Sequence, residues 1–261
     1  IVFVLDGPSF GYYDKDSEEQ TEWFLYIGKA VRSVISCRLT PNQKEAVVHL
    51  VKVNTKPKAT CLSIGDGAND VSMILEADVG IGIYGKEGRQ AANNADFAIG
   101  QFKFLKRLLL VHGRWNYIRQ AKVFLYSLHK NAVITMLLFW YCYFTGLSGT
   151  SPFQSYVYAA YNLVLALPIV FFGIMDRDLS AEFVEANPQV YATGQTNSLL
   201  SVHAVVEWTL NAIGYAIILS LIYFCAVADS FNDQALYIMG TTVYTGLLLA
   251  MQMKVGFLHH Q

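Results

Sequence analysis

Residues 63–70, Ser63-Ile64-Gly65-Asp66-Gly67-Ala68-Asn69-Asp70, decide the fold of the first hundred residues. They follow a β-branched run, 59–64 (ATCLSI), and lead into a helix-period segment, 69–77, so they form a strand-to-helix junction. The carboxyl ends of strands in open α/β sheets are where ligands bind. Gly65 and Gly67 allow positive φ and close backbone approach, and a helix amino terminus favours an anionic oxygen. Asp66 and Asp70 then bring hard carboxylate oxygens to one place, which suits magnesium shared with a phosphate. Asn69 can hold a phosphoryl oxygen without adding charge. A lone Gly-Asp-Gly would mark only a turn; the strand before it, the helix after it and the full string favour a site.

Working outward, short apolar runs recur at 1–5, 33–37, 59–64, 79–83 and 96–99, with helix-period segments at 20–32, 41–53, 69–77 and 88–94. Strands apolar on both faces and separated by helices predict one parallel sheet covered on both sides, a soluble α/β domain over residues 1–101. In Cys37-Arg38-Leu39-Thr40-Pro41-Asn42-Gln43-Lys44, Thr40 caps a helix and Pro41 takes its first position, which puts Lys44 on the first turn. There it can stabilise a transferring phosphoryl group as a point charge; taken alone, such a lysine is more often a solvated helix lysine.

The pattern changes after Gly100. A basic stretch, Lys103 to Lys122, predicts a stalk helix over 102–122, and apolar runs follow at about 123–146, 156–175, 204–228 and 236–256. Each has about the 20 residues needed to cross a hydrocarbon core of roughly 30 Å, which predicts four spanning helices. Lys103, Lys106, Arg107, Arg114, Arg119 and Lys122 crowd the approach to the first span, whereas 147–155 carries no charge. That asymmetry places the α/β domain, Arg177, Lys254 and the end at 257–261 on the cytoplasmic side, with Asp229 and Asp233 on the far side. The run Phe102 to Tyr126 lacks proline and is expected to be a rigid connector.

Composition agrees with a membrane-embedded portion: 54% of the 261 residues are hydrophobic and the mean hydropathy is +0.33. A formal net charge of -1 and the lack of a basic tract interleaved with aromatics give no reason to expect nucleic acid as a partner. Cys37, Cys61, Cys142 and Cys225 are far apart without Cys-x-x-Cys spacing and are expected to be reduced. The chain starts at Ile1, and IVFVLDG reads as a strand without a leader, so a piece of a longer protein is expected.

Within the first apolar run, Leu125-Tyr126-Ser127-Leu128-His129-Lys130-Asn131-Ala132 holds an ionisable cluster. A cation buried there costs several kcal/mol, about 2.5 or more, and so normally faces a polar cavity on a transport path. Lys130 is the leading candidate for sensing a headgroup, directly or through Asn131; the alternative is that His129 and Lys130 snorkel to the interface. Asn162 in the second run faces the same cavity or serves as interhelical glue, and Pro168 interrupts that run and frees a carbonyl. No carboxylate lies within 123–146 or 156–175, which argues against transport of calcium or other cations. Trp140, Tyr141, Tyr143 and Phe144 read as an interfacial belt.

LTPNQK, GDGANDVSMI, GKEGRQAANNADFAIGQFKFLKRLLLVHGRWNY and YSLHKN together resemble the type IV P-type ATPases, the phospholipid flippases, over essentially the whole chain. The GDGxND and TPxxK elements are shared by all P-type pumps; the string after Glu87 is narrower and similar to flippases alone. The resemblance implies a haloacid dehalogenase-like, Rossmann-type parallel sheet, part of the phosphorylation domain, followed by an α-helical transmembrane bundle. It further implies that Asp66 and Asp70 bind Mg2+, that Asn69 and Asp70 lie near ATP or the acyl phosphate, that Lys44 contacts the phosphorylated aspartate, and that Arg38 lies close to ATP. A lysine and asparagine at the place of Lys130 and Asn131 take part in lipid handling in that family. Its reaction is ATP-driven phosphorylation of an aspartate in a DKTGT sequence, then hydrolysis, moving phospholipid toward the cytoplasmic leaflet.

No DKTGT occurs here, so the chain alone is expected to be inactive. Relative to the family it is expected to be truncated at both ends. Many flippases carry two consecutive prolines where this chain has Pro168-Ile169, which leaves headgroup selectivity open. A separate glycosylated β-subunit is an implied partner, and plasma membrane and Golgi or endosomal membranes are not distinguished. The rival readings are a cation-transporting P-type ATPase, a soluble phosphatase of the haloacid dehalogenase superfamily, and a flippase-like body with a regulatory role in a larger fusion.

Overall fold

The structure is a computed structural model that describes residues 1–13, 17–85, 89–227 and 235–259. Glu87, Asp229 and Asp233, and the side chain of Cys225, lie outside the described residues. The chain divides into two compact units, Ile1–Leu105 and Lys106–Gln261.

The first unit runs β1 (Val2–Asp6), α1 (Glu18–Ala30), β2 (Ser33–Cys37), α2 (Pro41–Asn54), β3 (Leu62–Gly65), α3 (Val71–Glu76), β4 (Val79–Ile83), α4 (Gln90–Asn93) and β5 (Phe97–Ile99). Local chemistry sets the helix starts. Ser17 caps α1 by accepting from the Gln20 N–H at 3.4 Å, with Glu18 and Glu19 in the positive first turn and Lys29 in the last. Thr40 precedes Pro41 at the first position of α2, and the Thr40 N–H donates to Gln43 Oε1 at 3.0 Å.

All strand pairs are parallel, but they form two sheets rather than the single one expected: β1-β2 and β3-β4-β5. β4 is the buried centre of the larger sheet. Its Gly80 and Gly82 leave room for Ile74 of α3 and for Ala91 and Ala92 of α4, which a Cβ would displace. β2 departs from the expectation of burial on both faces, since all five of its residues are exposed, Val34 at 45% and Ile35 at 51%. Among the described residues β2 pairs on one side only, with β1, and β3 likewise only with β4, so each sheet has an open edge.

In the second unit the helical chain takes a π turn over Leu108–Gly113 before α5 (Arg114–Phe144), so the connector is helical without being uniformly α. Next come α6 (Ser155–Met175), which continues through Pro168, α7 (Ala181–Ala186), α8 (Val202–Val227) and α9 (Ala235–His259). α5, α6, α8 and α9 share one apolar core that includes Val133, Leu137, Leu165, Ala212, Ala216 and Leu247. Ala212 and Ala216, one turn apart and fully buried, let α8 approach closely, as small residues do between membrane helices. Among the described residues, two helical segments are long and apolar enough to cross a membrane: Phe104–Phe144 and Val202–Ile222. Ser155–Phe171 is apolar but shorter, and α9 carries Thr241, Thr242, Thr245, Gln252 and Lys254. Tyr141 belongs to the core, not to an interfacial belt, whereas Tyr143 and Phe144 are exposed.

Four of the basic residues that precede the first apolar run, Arg107, Arg114, Arg119 and Lys122, are engaged rather than free. Arg114 donates to Asp178 Oδ2 from Nε at 3.0 Å and from Nη2 at 2.8 Å, and to the Val190 carbonyl and Thr193. Lys122 meets Asp176 at 2.8 Å, Arg107 meets Glu185 at 3.3 Å, and the Trp115 indole donates to the Leu179 carbonyl. The connection between α6 and α8 is thereby fastened along the start of α5, with Val111, Trp115 and Val184 buried beneath it.

Candidate functional site

Two polar clusters stand out, one in each unit. In the first, the carboxyl ends of β2 and β3 lead to Arg38 and to Asp66, and α2 and α3 bring the two junctions together. Lys44, on the first turn of α2, donates to Asp70 Oδ1 at 2.7 Å. Asp70 folds back so that its Oδ2 accepts from the Asp66 N–H at 3.3 Å. Only glycine fits at position 65, because a Cβ there would lie 2.7 Å from the Asp70 carboxyl carbon. Close approach is thus what Gly65 supplies; Gly67 has φ -123, so the expected positive φ is not used in this loop. Three further bonds zip α2 to α3: Ser72 Oγ to the Pro41 carbonyl at 3.1 Å, His49 to Glu76 at 2.9 Å, and Lys52 Nζ to the Glu76 carbonyl at 2.7 Å.

Beside the ion pair lies a cavity of about 430 Å³ lined by Ser36, Arg38, Leu39, Lys44, Asp70 and Met73, among others. Arg38 has φ 54, a left-handed conformation that costs a side-chain-bearing residue about 1 kcal/mol or more and that concentrates at functional sites. Its neighbour Gly7 is required, since a Cβ there would collide with the Arg38 carbonyl oxygen. Gln43, whose Oε1 caps α2, also ties this corner together by donating from Nε2 to the Gly7 carbonyl at 2.9 Å. Asn69 and Asp66 are exposed at the mouth of the loop.

Among the described residues no cluster of three or more His, Cys, Asp or Glu could hold a metal by itself. The donor set at this loop is two carboxylates, Asp66 and Asp70. That fits magnesium, which commonly takes one or two carboxylates and completes its shell with phosphate and water.

In the second unit Lys130 is 7% exposed at mid-helix and donates to Asn162 Oδ1 at 2.9 Å. The structure joins these two predicted residues, but Asn131 is exposed and makes no hydrogen bond to either. Tyr161 completes the group: its hydroxyl donates to the Lys130 carbonyl at 2.7 Å and its ring centroid is 5.8 Å from the ammonium. On the other side of α5, His129 is fully buried. Its ring edges against Trp208 and Tyr215, and Lys254 Nζ approaches its Nε2 at 3.1 Å. Lys254 also donates to Asn211 Oδ1 at 2.7 Å and lies 4.4 Å from the Trp208 ring centroid. Lys254, placed from sequence on the cytoplasmic side, is held by Asn211 and the Trp208 ring beside His129. The detectable signal was Asn211, a polar residue inside an apolar run, but nothing in the sequence linked it to α9.

Residues 92–261 match the family model described as the phospholipid-translocating P-type ATPase C-terminal region. The chain is 39% identical over its whole length to phospholipid-transporting ATPase DRS2 of Saccharomyces cerevisiae, covering 20% of that protein. It is 40% identical over 97% of its length to human phospholipid-transporting ATPase VA, covering 16% of it, and 37% identical over 98% to Arabidopsis thaliana probable phospholipid-transporting ATPase 5, covering 21%. The chain thus spans about a fifth of the length of the curated relatives it matches. On the family match and on this identity from end to end, the chain belongs to the phospholipid-translocating P-type ATPases.

Proposed function

We propose that this chain works within a longer polypeptide that hydrolyses ATP through an aspartyl phosphate and moves phospholipid toward the cytoplasmic leaflet. The observation that carries the lipid reading is Lys130: a buried lysine in an apolar helix bundle, held by the amide oxygen of Asn162 and by no carboxylate. A site built for cations would offer carboxylates, whereas an uncancelled positive charge suits the phosphodiester of a lipid headgroup.

The open edges of β2 and β3 support a haloacid dehalogenase-like sheet to which the preceding polypeptide adds the strand that bears the phosphorylated aspartate. In that arrangement Asp66 and Asp70 hold Mg2+, which supplies charge neutralisation for the phosphoryl group. Lys44 orients Asp70 and presents its ammonium to the acyl phosphate, and Arg38 with Asn69 faces ATP. α5, α6, α8 and α9 act as four spans of a larger bundle in a multi-pass protein whose first unit is cytoplasmic, and a separate β-subunit is a partner. Rearrangement at the loop reaches Lys130 through the helix that includes the π turn at 108–113.

The test is ATP hydrolysis by the full-length parent in detergent against a panel of phospholipid headgroups. Headgroup-dependent stimulation that Lys130→Ala weakens about tenfold is the expected result, the size of a lost hydrogen bond to a charged group. Hydrolysis indifferent to every lipid would sink the proposed substrate.

A further inference from the structure

Tyr161 and Asn162 are consecutive on α6, and both hold Lys130, by different parts. The amide of Asn162 takes the ammonium at 2.9 Å, whereas the Tyr161 hydroxyl takes the main-chain carbonyl at 2.7 Å. Tyr161 is 2% exposed, within the core shared by the four long helices. A phenol in that position needs a partner, and it has found the backbone of the residue whose side chain its neighbour holds. The Lys130 carbonyl already serves α5 through one lone pair; the hydroxyl uses the other.

Two consequences follow. The bond to the backbone fixes the rotation and height of α5 at this level, whatever the lysine side chain is doing. Moreover, adjacent residues on a helix project about 100° apart, so backbone and ammonium are held from two directions. About three turns further along α6, Gly173 admits Val123 of α5, since a Cβ there would lie 2.7 Å from its Cγ2.

We propose that Tyr161 is a positioning residue for Lys130, acting through the backbone bond and not by touching lipid. It rests on the lipid-path reading above. A headgroup that draws the ammonium from Asn162 then meets a donor swinging from a fixed origin, and less ordering cost is left to the binding step.

The test titrates ATP hydrolysis of the full-length parent with phosphatidylserine, phosphatidylethanolamine and phosphatidylcholine in turn, for wild type, Tyr161→Phe and Lys130→Ala. Rates are normalised to the phosphoenzyme formed from ATP, so that any misfolded fraction drops out. Phenylalanine keeps the ring and removes only the hydroxyl. For the headgroup that stimulates wild type, Tyr161→Phe should raise the half-stimulating concentration about three- to tenfold, with the maximal normalised rate within about twofold. A fall in phosphoenzyme or maximal rate at an unchanged half-stimulating concentration would assign Tyr161 to packing alone and overturn the proposal. An unaltered Tyr161→Phe beside a weakened Lys130→Ala would also overturn it while leaving the lipid path standing. If no headgroup stimulates and neither variant matters, lipid path and positioning role fall together.

Discussion

The two units each place lysines in a polar cluster, and they deal with the charge in different ways. Lys44 meets a carboxylate, Asp70, at 2.7 Å, with side chains 31% and 14% exposed. Lys130 and Lys254 meet amide oxygens, Asn162 at 2.9 Å and Asn211 at 2.7 Å, together with aromatic faces. A part-exposed ion pair is worth about 1 kcal/mol at most and can exchange partners, which suits the phosphate site proposed for this loop. An amide oxygen satisfies a donor without cancelling its charge, so positive potential persists inside the apolar bundle. The same residue type thus has a carboxylate partner in one place and amide and aromatic partners in the other, which is the contrast on which the proposed roles rest.

The largest way to break this contrast is Asp70→Asn in the full-length parent. It removes the carboxylate shared by Lys44 and the proposed magnesium site, and phosphate release should fall by about a hundredfold or more. Retention of half the wild-type rate would show that the pair is structural only. Asn162→Asp runs the comparison the other way, giving Lys130 the kind of partner that Lys44 has. Lipid stimulation should drop about threefold or more, while phosphoenzyme formation persists; a rise in stimulation would contradict the role of uncancelled charge.

Lys254→Met is expected to act on stability. It strands Asn211 Oδ1 and leaves the Trp208 face without its cation, at a cost of about 1–2 kcal/mol. Thermal unfolding in detergent should shift down by about 2–6 °C. An unchanged midpoint would mean that the cage contributes nothing to holding α9.

The smallest effect concerns pH. The Cys61 N–H, with Lys52 nearby, holds the Asp78 carboxyl below the usual carboxylate range. Because the folded value is the lower one, its stabilisation is fully present above the unfolded pKa of about 4 and is lost as pH falls through the folded value. Asp78→Asn should therefore narrow the stability gap between pH 7 and strongly acid solution, read by denaturant titration at each pH. An identical acid profile would remove Asp78 from the account.

Much of this was legible in the chain. Strand-then-helix spacing located β2, β4 and the loop at 65–70 because short β-branched runs mark strands and a helix start needs its cap. Four long apolar runs likewise became α5, α6, α8 and α9, their ends moved by a few residues or, at the start of α5, by about two and a half turns. The stalk expected over 102–122 is indeed helical, but its charges gave no sign of their partners: only contacts with Asp178, the Asp176 carbonyl and Asp176 showed that Arg114, Arg119 and Lys122 fasten the α6–α8 connection. The single-sheet expectation missed because hydrophobic pattern identifies strands but not their hydrogen-bond partners.

What the sequence by itself determined was the inventory: an Asp-rich loop between strand and helix, a capped helix bearing Lys44, and a lysine inside an apolar run. These depend on local spacing and on the cost of burying charge, both of which are properties of short stretches. Only the tertiary structure decided who meets whom. Lys44 closes on Asp70 across 26 positions, Lys130 on Asn162 across 32, and Lys254 on His129 across 125. Such pairings arise from how helices pack, and packing is set by the volumes of all the facing side chains at once, so no single segment encodes them.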